Sequence, residues 1–374
     1  LAGIYIHIPF CRQKCHYCNF FSIATVKNKA RFLSALIGEI RNRKDYLDGE
    51  PIETLYFGGG TPSLFSNHEI NRIYLELEKF HLIEPNAEIT LEANPDDISR
   101  EWIRGLKETP VNRLSIGIQS FLDADLLYLN RIHSGIEALE SVKMARDAGY
   151  NNLTIDLIYG IPTLGTSNWI KNLELFMSLG LKHLSAYTLT VEPKTALPLL
   201  IGRGKLKPVS DSKAVVHFKK LVAIMEESGF IQYEISNFCK EDLFSKHNKS
   251  YWTGKKYLGL GPSAHSYNGN SRQWNPSNLT KYLTDMEQLK LVPQLEVLTT
   301  EQKFNEYILT SLRTVWGTDL EHIRHEFGLQ FADHFQKKIT KHIEKKFVVM
   351  KQDILYLTNE GKLFADRISS ELFV

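Results

Sequence analysis

Four cysteines occur in 374 residues, and three of them fall together in Cys11-Arg-Gln-Lys-Cys15-His-Tyr-Cys18. Thiolates spaced three and then two residues apart can turn toward one centre, and soft sulfur donors select zinc or an iron–sulfur cluster. A structural zinc site closes with four ligands, usually from a second Cys/His pair further along the chain. No such pair follows here, although His7 or His16 would in principle complete a tetrahedron. Three cysteines on a four-iron cluster would instead leave one iron open for a further ligand, and the spacing favours that reading. Cys239 is remote from the trio and reads as a small core thiol.

The elements that must position this loop show in the hydrophobic pattern. The trio follows the apolar run Gly3-Ile-Tyr-Ile-His-Ile8. The next such run, Ile52-Glu-Thr-Leu-Tyr-Phe57, stops at Gly58-Gly-Gly60-Thr61-Pro62. Glycines at a strand end let bare backbone amides approach a ligand, although an ordinary tight turn uses the same residues. Further strand-like runs at 88–93, 113–118, 152–158 and 183–188 alternate with helical patterns such as Phe32, Leu33, Leu36, Ile37 and Ile40. Repeated strand–helix units predict an α/β fold with a parallel sheet covered by helices, and six units rather than eight predict a partial (β/α)6 TIM-like barrel over 1–232. In a barrel, sites gather at the carboxyl ends of the strands. The cysteine loop, the glycine run, Glu92-Ala-Asn-Pro95, Gln119-Ser-Phe121 and Asp156 all fall there.

Beyond residue 232 the alternation gives way to an aromatic, glycine-broken stretch, 233–290, that reads as an irregular connector. Thr299 and Gln302 then fit a capping box. Three helical stretches and two short apolar runs, 347–350 and 354–357, predict a small winged-helix-like domain over 291–374.

The cysteine loop, with aromatic Tyr17 before its last cysteine, resembles that of the radical S-adenosylmethionine superfamily. The resemblance implies a [4Fe-4S] cluster on Cys11, Cys15 and Cys18, S-adenosylmethionine chelated at the open iron, and a low-potential electron donor. Gly-Gly-Gly-Thr-Pro is similar to the superfamily's glycine motif, which implicates Gly59, Gly60 and Thr61 in holding the cofactor's amino group. Tyr5, six residues before Cys11, matches a cofactor-contacting tyrosine of the coproporphyrinogen-oxidase branch, and Glu92 could hold the ribose or amine. The spacing of Gln119, Arg131 and Asp156 resembles the set that the branch uses for a second S-adenosylmethionine.

Two departures count against porphyrinogen decarboxylation. The oxidases carry a further cysteine where this chain has Phe20, and a long N-terminal arm, whereas the first strand here begins almost at residue 1. His247-Asn-Lys-Ser-Tyr-Trp252 resembles the signature of the HemW-type heme chaperones, which implies heme ligation at His247 and delivery of heme to respiratory or heme-storage proteins. An imidazole can ligate heme iron and neighbouring Tyr and Trp offer flat faces. His7 and His265 read as residues that satisfy backbone groups. The alternatives are an oxygen-independent coproporphyrinogen III oxidase and, from another class, a zinc-stabilised nucleic-acid-binding protein.

Composition bounds these readings. A hydrophobic content of 43% supports a proper core, and a formal net charge of +2 supplies no global field toward nucleic acid. Lysines 337, 338, 341, 345 and 346 sit with Glu344, Glu360 and Glu371 on what reads as a solvated face, with docking of a heme-receiving partner as its functional counterpart; a nucleic-acid partner is not expected. No apolar run reaches the length of a membrane span, which leaves room only for peripheral membrane association. No secretory signal is evident, and clustered free thiols point to a reducing compartment, the cytoplasm.

Overall fold

The computed structural model describes residues 1–374. Six parallel strands form its centre in chain order: β1 (Ala2–Ile8), β2 (Ile52–Gly59), β3 (Ile83–Ala93), β4 (Arg113–Gln119), β5 (Leu153–Tyr159) and β6 (His183–Thr188). Strands covered on both faces are expected to be apolar throughout, and β1 shows how the two faces divide. Ile4, Ile6 and Ile8 are fully buried and belong to one core with Phe32, Leu36 and Ile40 of the helix Lys29–Asn42. The alternate residues Gly3, Tyr5 and His7 face the lumen, where an added Cβ at Gly3 would meet His247 and Tyr5 lies against Tyr56.

The barrel does not close. Beyond β6, the short strands β7 (Ile231–Gln232) and β8 (Asn237–Cys239) continue the sheet, β8 running antiparallel to β6. Beyond β1 it continues through β9 (Tyr257–Leu260), β10 (His265–Tyr267), β11 (Ser271–Trp274) and β12 (Gln294–Val297), giving twelve strands in all. Residues 233–290, expected as an irregular connector, therefore supply β8 on one side of the parallel strands, β9 to β11 on the other, and the helix Lys246–Trp252. Strands of two to four residues carry too little periodicity to register in a sequence; a neighbouring strand supplies their order. Cys239 is fully buried on β8, as a core thiol should be.

A buried carboxylate fastens the extension to the barrel. Glu39, on the helix Lys29–Asn42, is 0% exposed and accepts hydrogen bonds from the Gly261 backbone N–H (2.8 Å), Asn275 Nδ2 (2.6 Å) and Tyr282 Oη (2.8 Å). Arg43 lies one turn on, 3.9 Å away.

A second hydrophobic core, running from Phe304 to Leu372, gathers the C-terminal helices around β13 (Thr318–Asp319), β14 (Val348–Lys351) and β15 (Ile354–Leu357). The Thr299–Gln302 capping box forms as the sequence predicts. In the lysine stretch, Lys341 pairs with Glu371 and Lys338 donates to the Phe373 carbonyl, while Lys337, Lys345 and Lys346 are exposed. The C-terminal unit contacts the barrel's extension through the Arg272–Glu306 pair (2.7 Å) and Arg313 over the Trp252 ring. No helix is long and apolar enough to cross a membrane.

Removing a buried charge that three donors and a nearby Arg surround leaves those groups unsatisfied, a loss of about 3–5 kcal/mol. Glu39→Ala is therefore expected to lower the unfolding free energy of the first core by that amount, read as a lower denaturant midpoint at unchanged slope, while the C-terminal unit's transition stays in place.

Candidate functional site

The carboxyl ends of the parallel strands open into a cavity of about 640 Å³, within the range of cofactor pockets. Cys11, Cys15 and Cys18 line one end, on the loop that leaves β1. Two backbone hydrogen bonds hold this loop against the glycine run: Gly60 N–H to Ile8 O (2.8 Å) and Thr61 N–H to Phe10 O (2.7 Å). Gly60 has to be glycine, because a Cβ there would sit 2.7–2.9 Å from backbone atoms of Ile8, Pro9 and Phe10. Gly59 has φ +109°, a conformation side-chain-bearing residues rarely adopt.

Glu92, near the end of β3, crosses to the same strand end. Its carboxylate accepts from the Gly59 backbone N–H (3.1 Å) and from Tyr56 Oη (2.9 Å). Burial pushes its pKa up to about 7 against those two bonds, with the Asp156 charge adding to the rise. Asp156, also buried, is raised to about 6 by desolvation. Burial likewise raises the Cys11 thiol, and it pushes Cys18 up to about 11. Arg131 reaches across the mouth: Nη1 donates to Cys15 Sγ (3.3 Å), and Nη2 donates to Asn94 Oδ1 (2.8 Å) and Gly117 O (2.7 Å). Gln119 ends β4 with φ +71°, which the strand pattern did not announce.

Tyr5, Tyr17, Gly59, Gly60, Thr61, Glu92, Gln119, Arg131 and Asp156 thus line one cavity with the three thiols. The histidines considered as a fourth thiol partner are engaged elsewhere. His7 Nε2 donates to Phe21 O (2.7 Å) while its Nδ1 accepts from Tyr5 Oη (3.1 Å), and His16 Nδ1 bonds Tyr128 O (3.1 Å). Three free thiols with no histidine turned toward them, beside a glycine-ended strand and a carboxylate able to receive an ammonium, fit a cluster with an open iron and an amino-acid-bearing cofactor.

His247 departs from expectation. It lies on the helix Lys246–Trp252, 1% exposed, inside the lumen rather than on an open loop. Nδ1 bonds Thr54 Oγ1 (2.8 Å), Nε2 bonds Tyr251 Oη (2.9 Å), and the ring stacks on Tyr56 at 5.0 Å. Burial lowers its pKa to about 3, so the ring is neutral and both nitrogens are occupied. As packed, it offers heme iron no lone pair. His265 also departs, since it is exposed and neither ring nitrogen makes a hydrogen bond.

Sequence reasoning missed the cavity's polar wall: Tyr56, Asn94, Arg113, Ser115, Thr154 and Ser185. For Ser115, Thr154 and Ser185 the signal was present as small hydroxyl residues on otherwise apolar strands, where a closed core would carry Val or Leu.

An open parallel barrel with three thiols beside the first strand's end is the architecture of a radical S-adenosylmethionine protein, and the Radical SAM superfamily model matches residues 5–188. The HemN C-terminal domain model matches residues 298–364. The chain is 32% identical over 374 residues to the heme chaperone HemW of Bacillus subtilis, covering 98% of both chains. It is 30% identical to HemW of Mycobacterium tuberculosis, over 98% of this chain and 93% of that one. Within the superfamily, the chain belongs to the HemW family. Coproporphyrinogen III oxidase (HemN) of Escherichia coli shares the fold, with a TM-score of 0.86 at 23% identity over 100% of this chain and 90% of that one.

The Glu92 shift fixes a pH dependence. A carboxyl whose folded pKa is near 7 keeps a proton that the unfolded chain has released above about 4.3. Stability therefore falls as pH rises between those values, by on the order of 3 kcal/mol. Glu92→Gln is expected to remove this slope, so that thermal melts of the cofactor-free variant and wild type diverge progressively from pH 5 to pH 8, the variant melting higher at pH 8.

Proposed function

We propose that this chain is a heme-trafficking protein that also holds a [4Fe-4S] cluster and S-adenosylmethionine. The observation that carries the cofactor half is the convergence of three free thiols, the bare Gly59–Gly60 backbone and buried Glu92 on one cavity. Cys11, Cys15 and Cys18 would hold the cluster, whose chemistry when reduced is electron transfer to a bound sulfonium. Glu92, poised near neutrality, would take the charge of the cofactor's ammonium and release its proton on doing so, with Tyr5, Tyr17 and Thr61 shaping the pocket around it. Gln119, Arg131 and Asp156 line the same cavity, and a second cofactor molecule would sit among them. Arg131 supplies positive charge beside Cys15.

The heme half rests on the relatives, two of which are named heme chaperones and match along nearly the whole chain. Phe20, 70% exposed beside the cavity mouth, supports transfer over porphyrinogen chemistry, because it stands where the oxidases carry a further cysteine. Recipients would be respiratory or heme-storage proteins, and an electron donor would serve the cluster.

Anaerobic reconstitution is expected to load wild type and Cys239→Ala with iron and acid-labile sulfide in near-equal amounts. Cys15→Ala is expected to lose both. Wild type should then bind heme and pass it to an apo-cytochrome. Zinc without sulfide in the loaded protein would sink the cluster assignment, and conversion of coproporphyrinogen III without heme transfer would move the function to the oxidase.

A further inference from the structure

The cavity continues beneath the residues that would hold the first cofactor. Arg113, Ser115, Gly117 and Gln119 alternate along β4 and line it, with Gln119 at the rim and Arg113 at the strand's amino end. Strand pairing sets Glu92 beside Ser115 and Thr90 beside Arg113, so Arg113 lies one inward step, roughly 7 Å, deeper than Glu92. It is 2% exposed and carries five N–H donors. Its carboxylate neighbour Glu88 comes no closer than 3.8 Å to Nε, beyond hydrogen-bond reach, and Nη2 has no partner. The histidines at this depth are satisfied by contrast: His183 bonds Thr154 Oγ1 (2.6 Å) and Tyr233 Oη (2.8 Å), and His247 bonds Thr54 and Tyr251. A buried guanidinium with its donors unspent costs free energy until an acceptor reaches it.

We propose that the lower lumen binds an α-amino-acid head group, with Arg113 receiving its carboxylate and Asp156 its ammonium. The proposal rests on the cofactor reading above for the class of ligand and adds the residue that takes the acid. Asp156 lines the same cavity; desolvation raises its proton affinity and the Arg113 charge acts against that rise, yet the two form no ion pair. Opposite charges are thus held apart. Pairing sets Ser115 beside Thr154 and Asp156 beside Ser185, so hydroxyls that both donate and accept line the space between them. A zwitterion matches this arrangement, because each end meets its opposite and its entry adds no net charge to a desolvated lumen. A simple anion does not, since Glu88 and Asp156 would repel it. Guanidinium also suits a carboxylate in particular, through paired parallel hydrogen bonds. The head group has two sources: a second, intact S-adenosylmethionine, or L-methionine, the thioether left when the sulfonium of the first is cleaved by one electron.

The test is equilibrium dialysis of the reconstituted full chain against labelled S-adenosylmethionine, followed by calorimetric titration of the loaded chain with L-methionine and with 3-methylthiopropylamine, which lacks only methionine's carboxylate. The proteins are wild type, Arg113→Gln and the double variant Arg113→Gln/Glu88→Gln, which removes both members of the buried pair and so leaves no charge stranded. If the intact cofactor is the occupant, wild type takes up one S-adenosylmethionine per chain more than either variant. If methionine is the occupant, uptake of the cofactor is equal, and methionine binds wild type at least about ten-fold more tightly than it binds the variants. The amine is then expected to bind wild type at least about ten-fold more weakly than methionine does. Equal uptake of S-adenosylmethionine and equal affinity for methionine in wild type and the double variant would overturn the assignment while leaving the cofactor reading intact. Wild type that takes up no S-adenosylmethionine would overturn the underlying reading as well.

Discussion

The crossing of two loops at the rim of β1 and β2 is the constraint on which the site depends. Gly60 and Thr61 donate backbone hydrogen bonds into the start of the cysteine loop, and the approach is so close that no side chain fits at Gly60. That contact sets the thiols at one end of the cavity and leaves the Gly59 N–H to hold Glu92. Glu92 in turn is largely desolvated with no cation paired to it, which raises its carboxyl to about 7. Backbone geometry, burial and proton affinity are here successive consequences of one strand end.

The lumen below this rim is polar in a way a stability-driven barrel would not be. Arg113 lies 3.8 Å from Glu88 with one guanidinium nitrogen unpartnered, and Thr54, His247 and Tyr251 form a closed hydrogen-bonded chain. Buried polar groups cost free energy unless each finds a partner. The His247 chain meets that condition, with both imidazole nitrogens partnered. The apolar cost is carried on the outer face, where Ile4, Ile6 and Ile8 pack against the first helix.

The unclosed barrel has a second consequence. A sheet that ends must manage its edges, and here β7 and β8 cover one side while β9 to β12 prolong the other. The prolongation carries the lumen's aromatic face out to the surface and brings it against the C-terminal unit through Arg272 and Glu306. One sheet face therefore runs from Tyr5 in the cavity through Tyr257 and Tyr267 to Arg272 and the C-terminal unit.

What the sequence by itself determined was the six-strand alternation, the C-terminal capping box, and which residues gather at the strand ends. These rest on local patterning: apolar periodicity, glycines where φ is positive, and thiols within one loop. Cys11, Cys15, Cys18, Gly59, Gly60 and Glu92 were legible because a parallel barrel delivers every strand's carboxyl end to one rim. Only the tertiary structure showed that His247 is buried with both nitrogens hydrogen-bonded while His265 is exposed. A motif cannot report whether an imidazole's nitrogens are taken, since that depends on Thr54, 193 residues away, and on Tyr251. Nor could residues 233–290 be read as strands, because their order comes from hydrogen bonds to β1 and β6 that no local period encodes.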